Sequence, residues 1–381
     1  MRIVYYHYTM ANMGGVERIF TEKMNYLADI CKYDVFLITL YQGAHPLYYK
    51  LSSKVKHIDM GIRIHTIYTQ PLYKRLILKH KYRKLIPKRF QQIITEINPD
   101  IIAAVAGKPT SFILDVQTNS KIVMESHQAK CYTGVNYPWF YPSQMIKSIR
   151  EYLVMKKVEK KSDAIVTLTH GDAKEWNAKD VVVIPNIVDL HNNTYSPLSN
   201  KVALFAGRFV YQKGLERMLE SWKIVVDKRN DWVLKLVGEG EQKKALIEQC
   251  KMLGIENYVI FEETTNNMTE EYYNTSIFLL TSKFEGFALV LAEAIQCGVP
   301  CISFDCPYGP AEIIDNGENG ILVENENIEE FANAILKLID DEDLRKKMGK
   351  AAIEKSKDYL PERIMPQWID LFNKLTTDNI Q

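Results

Sequence analysis

Short, nearly continuous apolar runs recur along this chain, each followed by a loop or a stretch with helical periodicity. "RIVYYHY", "DVFLITL", "DIIAAVA", "KIVMES" and "AIVTLT" form a first series; "KVALFAG", "WVLKLVG", "YVIFEE", "IFLLTS" and "PCISF" form a second. A strand with one wet face alternates apolar and polar residues, whereas a strand covered on both faces reads as an unbroken apolar run. The segments between the runs supply the covers. "VERIFTEKMNYLA", for example, is apolar at positions 16, 19, 20, 24 and 27, the stripe of an amphipathic helix. The chain is therefore α/β, with two Rossmann-like domains built on parallel sheets. "NIVDLHNNTYSPLSN" (186–200), rich in Asn, Ser and Pro, reads as the linker between them. The expected division is 1–190, 191–355 and a helical end, 356–381, free to pack back on the first domain. Ligands of open α/β sheets collect at the carboxyl ends of the strands, so a central cleft faced by both domains is the expected site.

A length of 381 residues, 46% hydrophobic and 25% charged, suits two globular domains and excludes a disordered chain. The first residues show no apolar core of a signal peptide, and no run approaches the roughly 20 residues of a spanning helix. The expectation is a cytoplasmic protein or one peripheral on a membrane. Cys297, Cys301 and Cys306 cluster without a His or a fourth ligand nearby, and read as small buried thiols, not a zinc site. The overall charge of +1 hides an asymmetry: residues 1–200 carry 27 Lys and Arg against 16 Asp and Glu, residues 201–381 the reverse, 21 against 31.

Two carboxylates stand out in "KFEGFALVLAEAIQCGVPCIS" (283–303), Glu285 and Glu293, flanking a segment with no other charge. Carboxylates are rare in apolar surroundings unless paired. A helix beginning near Ala288 would offer its free N–H groups to a phosphate. It would also set the two carboxylates on the order of 10 Å apart, at 1.5 Å per residue. Hydroxyl-rich sugars suit carboxylates, which accept hydrogen bonds without donating. A helix cap for Glu285 and a buried ion pair for Glu293 explain the pattern equally well. "LFAGRFVYQKGLERMLESW" then places Arg208 and Lys213 after the first strand of the second series, where a diphosphate would need neutralising. Two solvated surface cations are the other reading. "LVGEGEQKKAL" adds a strand-to-glycine turn at the same sheet edge.

Together, G-R-x4-K-G and E-G-F-x6-E-A resemble the nucleotide-binding half of the GT-B glycosyltransferases, specifically glycosyltransferase family 4. The resemblance runs from about Val202 to Val323 and includes "GVPCISFD", "GPAEII" and "NGILV". It is looser over residues 1–200, where it rests on Gly14-Gly15, "ESHQA" and "VIPNIVD". It implies a retaining hexosyltransferase that uses a nucleotide-sugar, with UDP as carrier, and no catalytic metal or other cofactor. By the same resemblance Arg208, Lys213 and Gly15 would hold the diphosphate, with backbone amides of Phe287, Ala288, Leu289 and Val290. Glu293 would hold the ribose, Glu285 the donor-sugar hydroxyls, and His127 would contact the donor sugar beside Glu285 in the catalytic centre. One departure is that Glu263 and Thr264 stand where similar proteins usually carry a glycine, in the neighbourhood of the base.

"SFDCPYGPAEII" looks like the subgroup that builds bacterial surface polysaccharides such as capsule and lipopolysaccharide, which implies a growing, lipid-linked glycan as acceptor. Two alternatives are a sugar-nucleotide epimerase of similar shape and a non-catalytic sugar-nucleotide-binding partner subunit. Asp341-Glu342-Asp343 spells the D-x-D of metal-dependent transferases but sits between two helical stretches, and reads as a solvated turn. Residues 73–90, "YKRLILKHKYRKLIPKRF", hold eight Lys or Arg and no acid, interleaved with Tyr73, Leu76, Ile77, Leu78, Tyr82, Leu85, Ile86 and Phe90. That is the pattern of a helix lying on an anionic membrane surface, here the inner face of the cytoplasmic membrane, or of a basic helix with its apolar side in the core. Nucleic acid is not expected as a partner, because the second half is acidic and no nucleic-acid motif appears.

Overall fold

Every ladder between the named strands is parallel, as unbroken apolar runs require. The computed structural model describes residues 1–130, 142–190 and 194–377. Cys131, the middle of the Asn-rich stretch and the last four residues of the final segment lie outside them. The chain forms two compact units. Unit 1 comprises Met1–Leu168, Asp172–Ile187 and Met365–Gln381; unit 2 comprises Thr169–Gly171 and Val188–Ile364.

Unit 1 follows the order β1 (Arg2–His7), α1 (Gly15–Asp29), β2 (Asp34–Thr39), β3 (Lys56–Asp59), α2 (Leu72–Ile97), β4 (Ile101–Val105), β5 (Lys121–Ser126), α3 (Pro142–Lys161), β6 (Ala164–Thr167), α4 (His170–Ala173, its first two residues in unit 2) and β7 (Val181–Val183). The sheet order is β3-β2-β1-β4-β5-β6-β7. Chain direction through the sheet reverses between β1 and β4, which opens a crevice at the carboxyl ends of those strands. On one face Phe90, Ile94 and Ile97 of α2 and Met155 and Val158 of α3 pack against Val4, Ile102 and Met124 of the strands. Burial on both faces makes each of these strands expensive to expose, at about 25 cal/mol per Å² of apolar surface.

Unit 2 repeats the plan with β8 (Val202–Ala206), α5 (Leu215–Lys228), β9 (Val233–Val237), α6 (Lys243–Leu253), β10 (Val259–Glu262), α7 (Met268–Tyr273), β11 (Ile277–Leu280), α8 (Leu289–Gln296), β12 (Cys301–Phe304), α9 (Pro310–Ile313) and β13 (Gly320–Val323). Then come α10 (Ile328–Asp340), α11 (Glu342–Ser356) and α12 (Pro361–Thr377), whose residues from Met365 onward belong to unit 1. The sheet order is β10-β9-β8-β11-β12-β13, so the reversal lies between β8 and β11. The Asn- and Ser-rich stretch is not a loose tether where it is described. Leu198 is buried, its carbonyl accepts from Arg345 Nε at 3.1 Å, and Ser196 Oγ donates to the Thr275 carbonyl at 2.6 Å. Its polar composition satisfies backbone groups at the surface of unit 2. Asp341 caps α11 by accepting from the Leu344 N–H at 2.8 Å, so the D-x-D triplet is a helix start.

Candidate active site

In unit 2 the loops after β8 and β11, on either side of the chain reversal, are laced together. Gln212 Nε2 donates to the Phe284 carbonyl at 3.0 Å, the Lys283 N–H to the Gln212 carbonyl at 2.8 Å, and Thr281 Oγ1 to the Lys213 carbonyl at 3.1 Å. Glycines make this approach possible. A Cβ on Gly214, which has φ +59°, would lie 2.3 Å from the Thr281 carbonyl oxygen. A Cβ on Gly238 would lie 1.9 Å from the Gly207 carbonyl oxygen, so the "LVGEGE" turn buttresses the loop that carries Arg208.

The lacing delivers Lys213 to Glu285. Lys213 Nζ donates to Glu285 Oε1 at 2.6 Å, and Ser282 Oγ donates to the same oxygen at 2.6 Å. Glu285 Oε2 has no hydrogen-bond partner among the described residues. Arg208, in contrast, is exposed with no ion-pair partner among the described residues. The α8 helix begins at Leu289 after Ala288, which sits in the left-handed region at φ 62° and provides no side-chain cap. A non-glycine residue there is uncommon and marks a loop whose shape is imposed by its surroundings. Phe287 and Ala288 are buried, Leu289 and Val290 half-buried, and the first amides of α8 are left without a side-chain acceptor. One turn on, buried Glu293 accepts from the Tyr272 hydroxyl at 2.7 Å through Oε2. Neither glutamate is a helix cap. Cys297 and Cys306 lie nearby as thiols, with Cys297 pushed up to about 12 by burial and, secondarily, Glu293. Among the described residues no group of three or more His, Cys, Asp or Glu side chains is gathered for a metal ion.

Unit 1 holds the other two candidates. Gly15 is the first residue of α1, after an N-cap at Gly14, but the helix start is not empty: a Cβ on Gly14 would lie 2.0 Å from Glu17 Oε2. The helix's own acid leans over its N-terminus, where it interacts favourably with the dipole. His127 follows β5, and its Nε2 lies 2.9 Å from Glu125 Oε2. The same oxygen takes a hydrogen bond from the Lys23 ammonium of α1. Burial pushes the Glu125 pKa up, but Lys23 and His127 outweigh it and hold the carboxyl below its ordinary range. His7, at the end of β1, is lowered by burial, with the Thr9 carbonyl, its Nδ1 partner at 2.8 Å, opposing.

The motif reading named Arg208, Lys213, Glu285 and Glu293 but missed their companions Ser282 and Tyr272, and it missed Lys23 and Glu125 around His127. Two of these carried a signal. Glu125 is a lone acid in an apolar strand, the same oddity that exposed Glu285, and period 2 puts it on the face of His127. Lys23 lies on the core stripe of α1, between Phe20 and Leu27.

The carboxyl-end loops and the switch-point geometry of both units describe a fold, and comparison with known proteins supplies the family. Residues 189–355 match the family model for glycosyl transferases group 1. An uncharacterized glycosyltransferase of Haemophilus influenzae is 30% identical over 375 residues, covering 96% of this chain and 98% of that protein. This chain belongs to the group 1 glycosyltransferases. The amylovoran biosynthesis glycosyltransferase AmsD of Erwinia amylovora is likewise 30% identical to this glycosyltransferase, across 96% of the chain and 97% of AmsD. Among solved structures, a TarM variant of S. aureus in complex with UDP, alpha-GlcNAc-glycerol and fondaparinux matches with a TM-score of 0.77 at 16% identity, over 98% of this chain and 99% of that one. The glycosyltransferase therefore has the GT-B fold.

Proposed function

We propose that this glycosyltransferase is a retaining enzyme of family 4 that transfers a hexose or N-acetylhexosamine from a UDP-sugar to a growing, lipid-linked bacterial surface glycan. The observation that carries the reading is the Lys213–Glu285 pair in front of the uncapped start of α8, with exposed Arg208 on the same set of loops. Support for UDP comes from the TarM complex, and support for a surface glycan from AmsD, whose name assigns it to amylovoran biosynthesis. A sugar-nucleotide epimerase and a non-catalytic partner subunit are not favoured.

In this mechanism charge develops on the diphosphate as the glycosidic bond breaks. Arg208, Lys213 and the amides of Phe287 to Val290 stabilise that charge where it grows, which is the differential binding that accelerates a reaction. Gly15 is a further proposed backbone contact to phosphate, at a helix start where Glu17 now stands. Glu285 already spends Oε1 on Lys213 and Ser282, so Oε2 is the atom for a donor-sugar hydroxyl. Tyr272 holds Glu293 for the ribose hydroxyls. His127 contacts the donor sugar. No metal or other cofactor has a part in this scheme. The test is a panel of UDP-sugars with purified protein, read by product mass spectrometry and by NMR of the anomeric configuration. Activity that survives EDTA with retained configuration supports the scheme; inversion or a strict divalent requirement defeats it.

Peripheral attachment to an anionic membrane through residues 73–90 belongs to the same proposal, in a narrower form than the sequence suggested. Tyr82, Leu85, Ile86 and Phe90 pack on the core, so the second half of that stretch has its apolar side occupied. Leu72, Tyr73, Leu76 and Ile77 are 63% to 77% exposed beside Lys74, Arg75 and Lys79. No helix of the described residues is long and apolar enough to cross a membrane. Each cation near an anionic surface contributes about 1 kcal/mol. Sedimentation with anionic liposomes should fall with salt and be lost on Leu76→Ser with Ile77→Ser. Binding untouched by that change, or by Ser at Lys79, Lys81, Arg83 and Lys84, would rule the surface out.

A further inference from the structure

Behind His127 lies a deeply buried ion pair of unit 1. The Lys23 and Glu125 side chains are each 1% exposed. A lysine ammonium taken so far from water needs compensation beyond one carboxylate. It has an aromatic cage: Nζ lies 4.0 Å from the ring centroid of Trp368 on α12, 4.9 Å from Phe20 and 5.5 Å from Tyr5. Phe20 also meets His127 and His7 edge-on, at centroid distances of 5.8 and 5.7 Å, so the His127 ring is confined on that side as well. Such an arrangement stabilises little for its cost, since apolar side chains of similar volume would serve the core as well or better.

We propose that Lys23 and Glu125 are positioning residues that hold His127 in one orientation and one tautomer, with Nε2–H directed at Glu125 and Nδ1 left as the atom offered for chemistry. Three observations converge. Glu125 Oε2 receives both Lys23 Nζ and His127 Nε2, and an ion-paired carboxylate can only accept, so the histidine nitrogen facing it carries the proton. His127 Nδ1 makes no hydrogen bond among the described residues. Glu125 precedes His127 by two positions at the end of β5, so the rigid strand fixes acceptor and ring together. Trp368 gives the final helix a part in this device, because it covers the lysine that charges it. The chemical consequence for the reaction rests on His127 contacting the donor sugar; the tautomer does not.

The experiment uses the full chain labelled with 15N-histidine, with the His127 resonances assigned from a His127→Gln variant among the eight histidines. Wild-type neutral His127 should be the Nε2–H tautomer. Lys23→Met with Glu125→Leu removes the pair without orphaning either charge; the expected result is loss of that tautomer preference and a drop in kcat of about 10- to 100-fold with donor KM nearly unchanged. Glu125→Gln keeps an acceptor oxygen, so it should retain the Nε2–H form and recover part of the lost turnover. Unchanged resonances of the other unit 1 histidines, His7, His45, His57, His65 and His80, together with a cooperative thermal transition, verify that the variants are folded. An Nδ1–H tautomer in the wild type, or unchanged tautomer and kcat in the folded double variant, overturns the proposal. Full turnover in His127→Ala would instead remove the sugar-contact reading, and the tautomer result would still decide the positioning role.

Discussion

Each unit places a Lys–Glu pair at the carboxyl end of a parallel sheet, and the two pairs are built differently. In unit 1 Lys23 and Glu125 are 1% exposed, caged by Trp368, Phe20 and Tyr5. In unit 2 Lys213 and Glu285 are 13% and 7% exposed, with Glu285 Oε2 and neighbouring Arg208 still free of partners among the described residues. The sealed pair keeps one unpartnered oxygen, Glu125 Oε1, but it is buried, so the pair acts on the side chain it touches and not on a ligand. An open pair retains an acceptor for a ligand, and a ligand's phosphate can share its cation. On the proposed scheme the same two residue types serve positioning in one sheet and binding in the other, and accessibility decides which.

The contrast breaks most sharply under charge removal. Lys23→Met should cost about 3–5 kcal/mol, because it strands Glu125 as an unpaired buried charge. Lys213→Met should cost less, about 1–3 kcal/mol, since Ser282 Oγ still donates to the Glu285 carboxylate. Thermal unfolding of both variants checks this, and equal losses would erase the distinction between the pairs. Next in size, Glu285→Gln should lower kcat about 100-fold and leave donor KM within a few-fold, if its free oxygen meets the reacting sugar. A change in KM alone would move Glu285 from the sugar to ground-state binding. Arg208→Ala and Lys213→Ala should each weaken UDP binding by about 1.5–3 kcal/mol, the worth of a charge-assisted contact to phosphate. Calorimetry reads this directly, and unaltered affinity in both would end the diphosphate assignment. The smallest effect is expected from Tyr272→Phe. It removes one hydrogen bond to Glu293 and should weaken UDP binding by about 0.5–1.5 kcal/mol with kcat unaltered.

The strands found from sequence were all the central ones and one edge strand, β10. β1, β2, β4, β5 and β6, and β8 to β12, all coincide with apolar runs. The strands that escaped, β3, β7 and β13, are edge strands. "KHID" at β3 is mostly polar with Lys56 and His57 exposed, and "VVV" at β7 is too short to stand out. An edge strand has one neighbour and a wet side, so its composition need not announce it. The stretch 73–90 divided for a related reason: its apolar and basic residues satisfy two patterns at once, and only packing shows that Tyr82, Leu85, Ile86 and Phe90 turn to the core while Leu76 and Ile77 do not.

By itself the sequence determined what depends on local periodicity and on backbone chemistry. Apolar runs dictated parallel sheets, glycines permitted the close turns after β8 and β9, and two acids in an apolar segment marked a candidate site. Tertiary structure alone decided the pairings. Lys213 and Glu285 are 72 residues apart, and Lys23 and Glu125 are 102 apart. No local pattern specifies which distant partner a charge will meet. That follows from strand order, which brings the loop after β8 beside the loop after β11 and sets α1 against the end of β5. Burial follows from the same order, and burial is what separates the pair proposed to position from the pair proposed to bind.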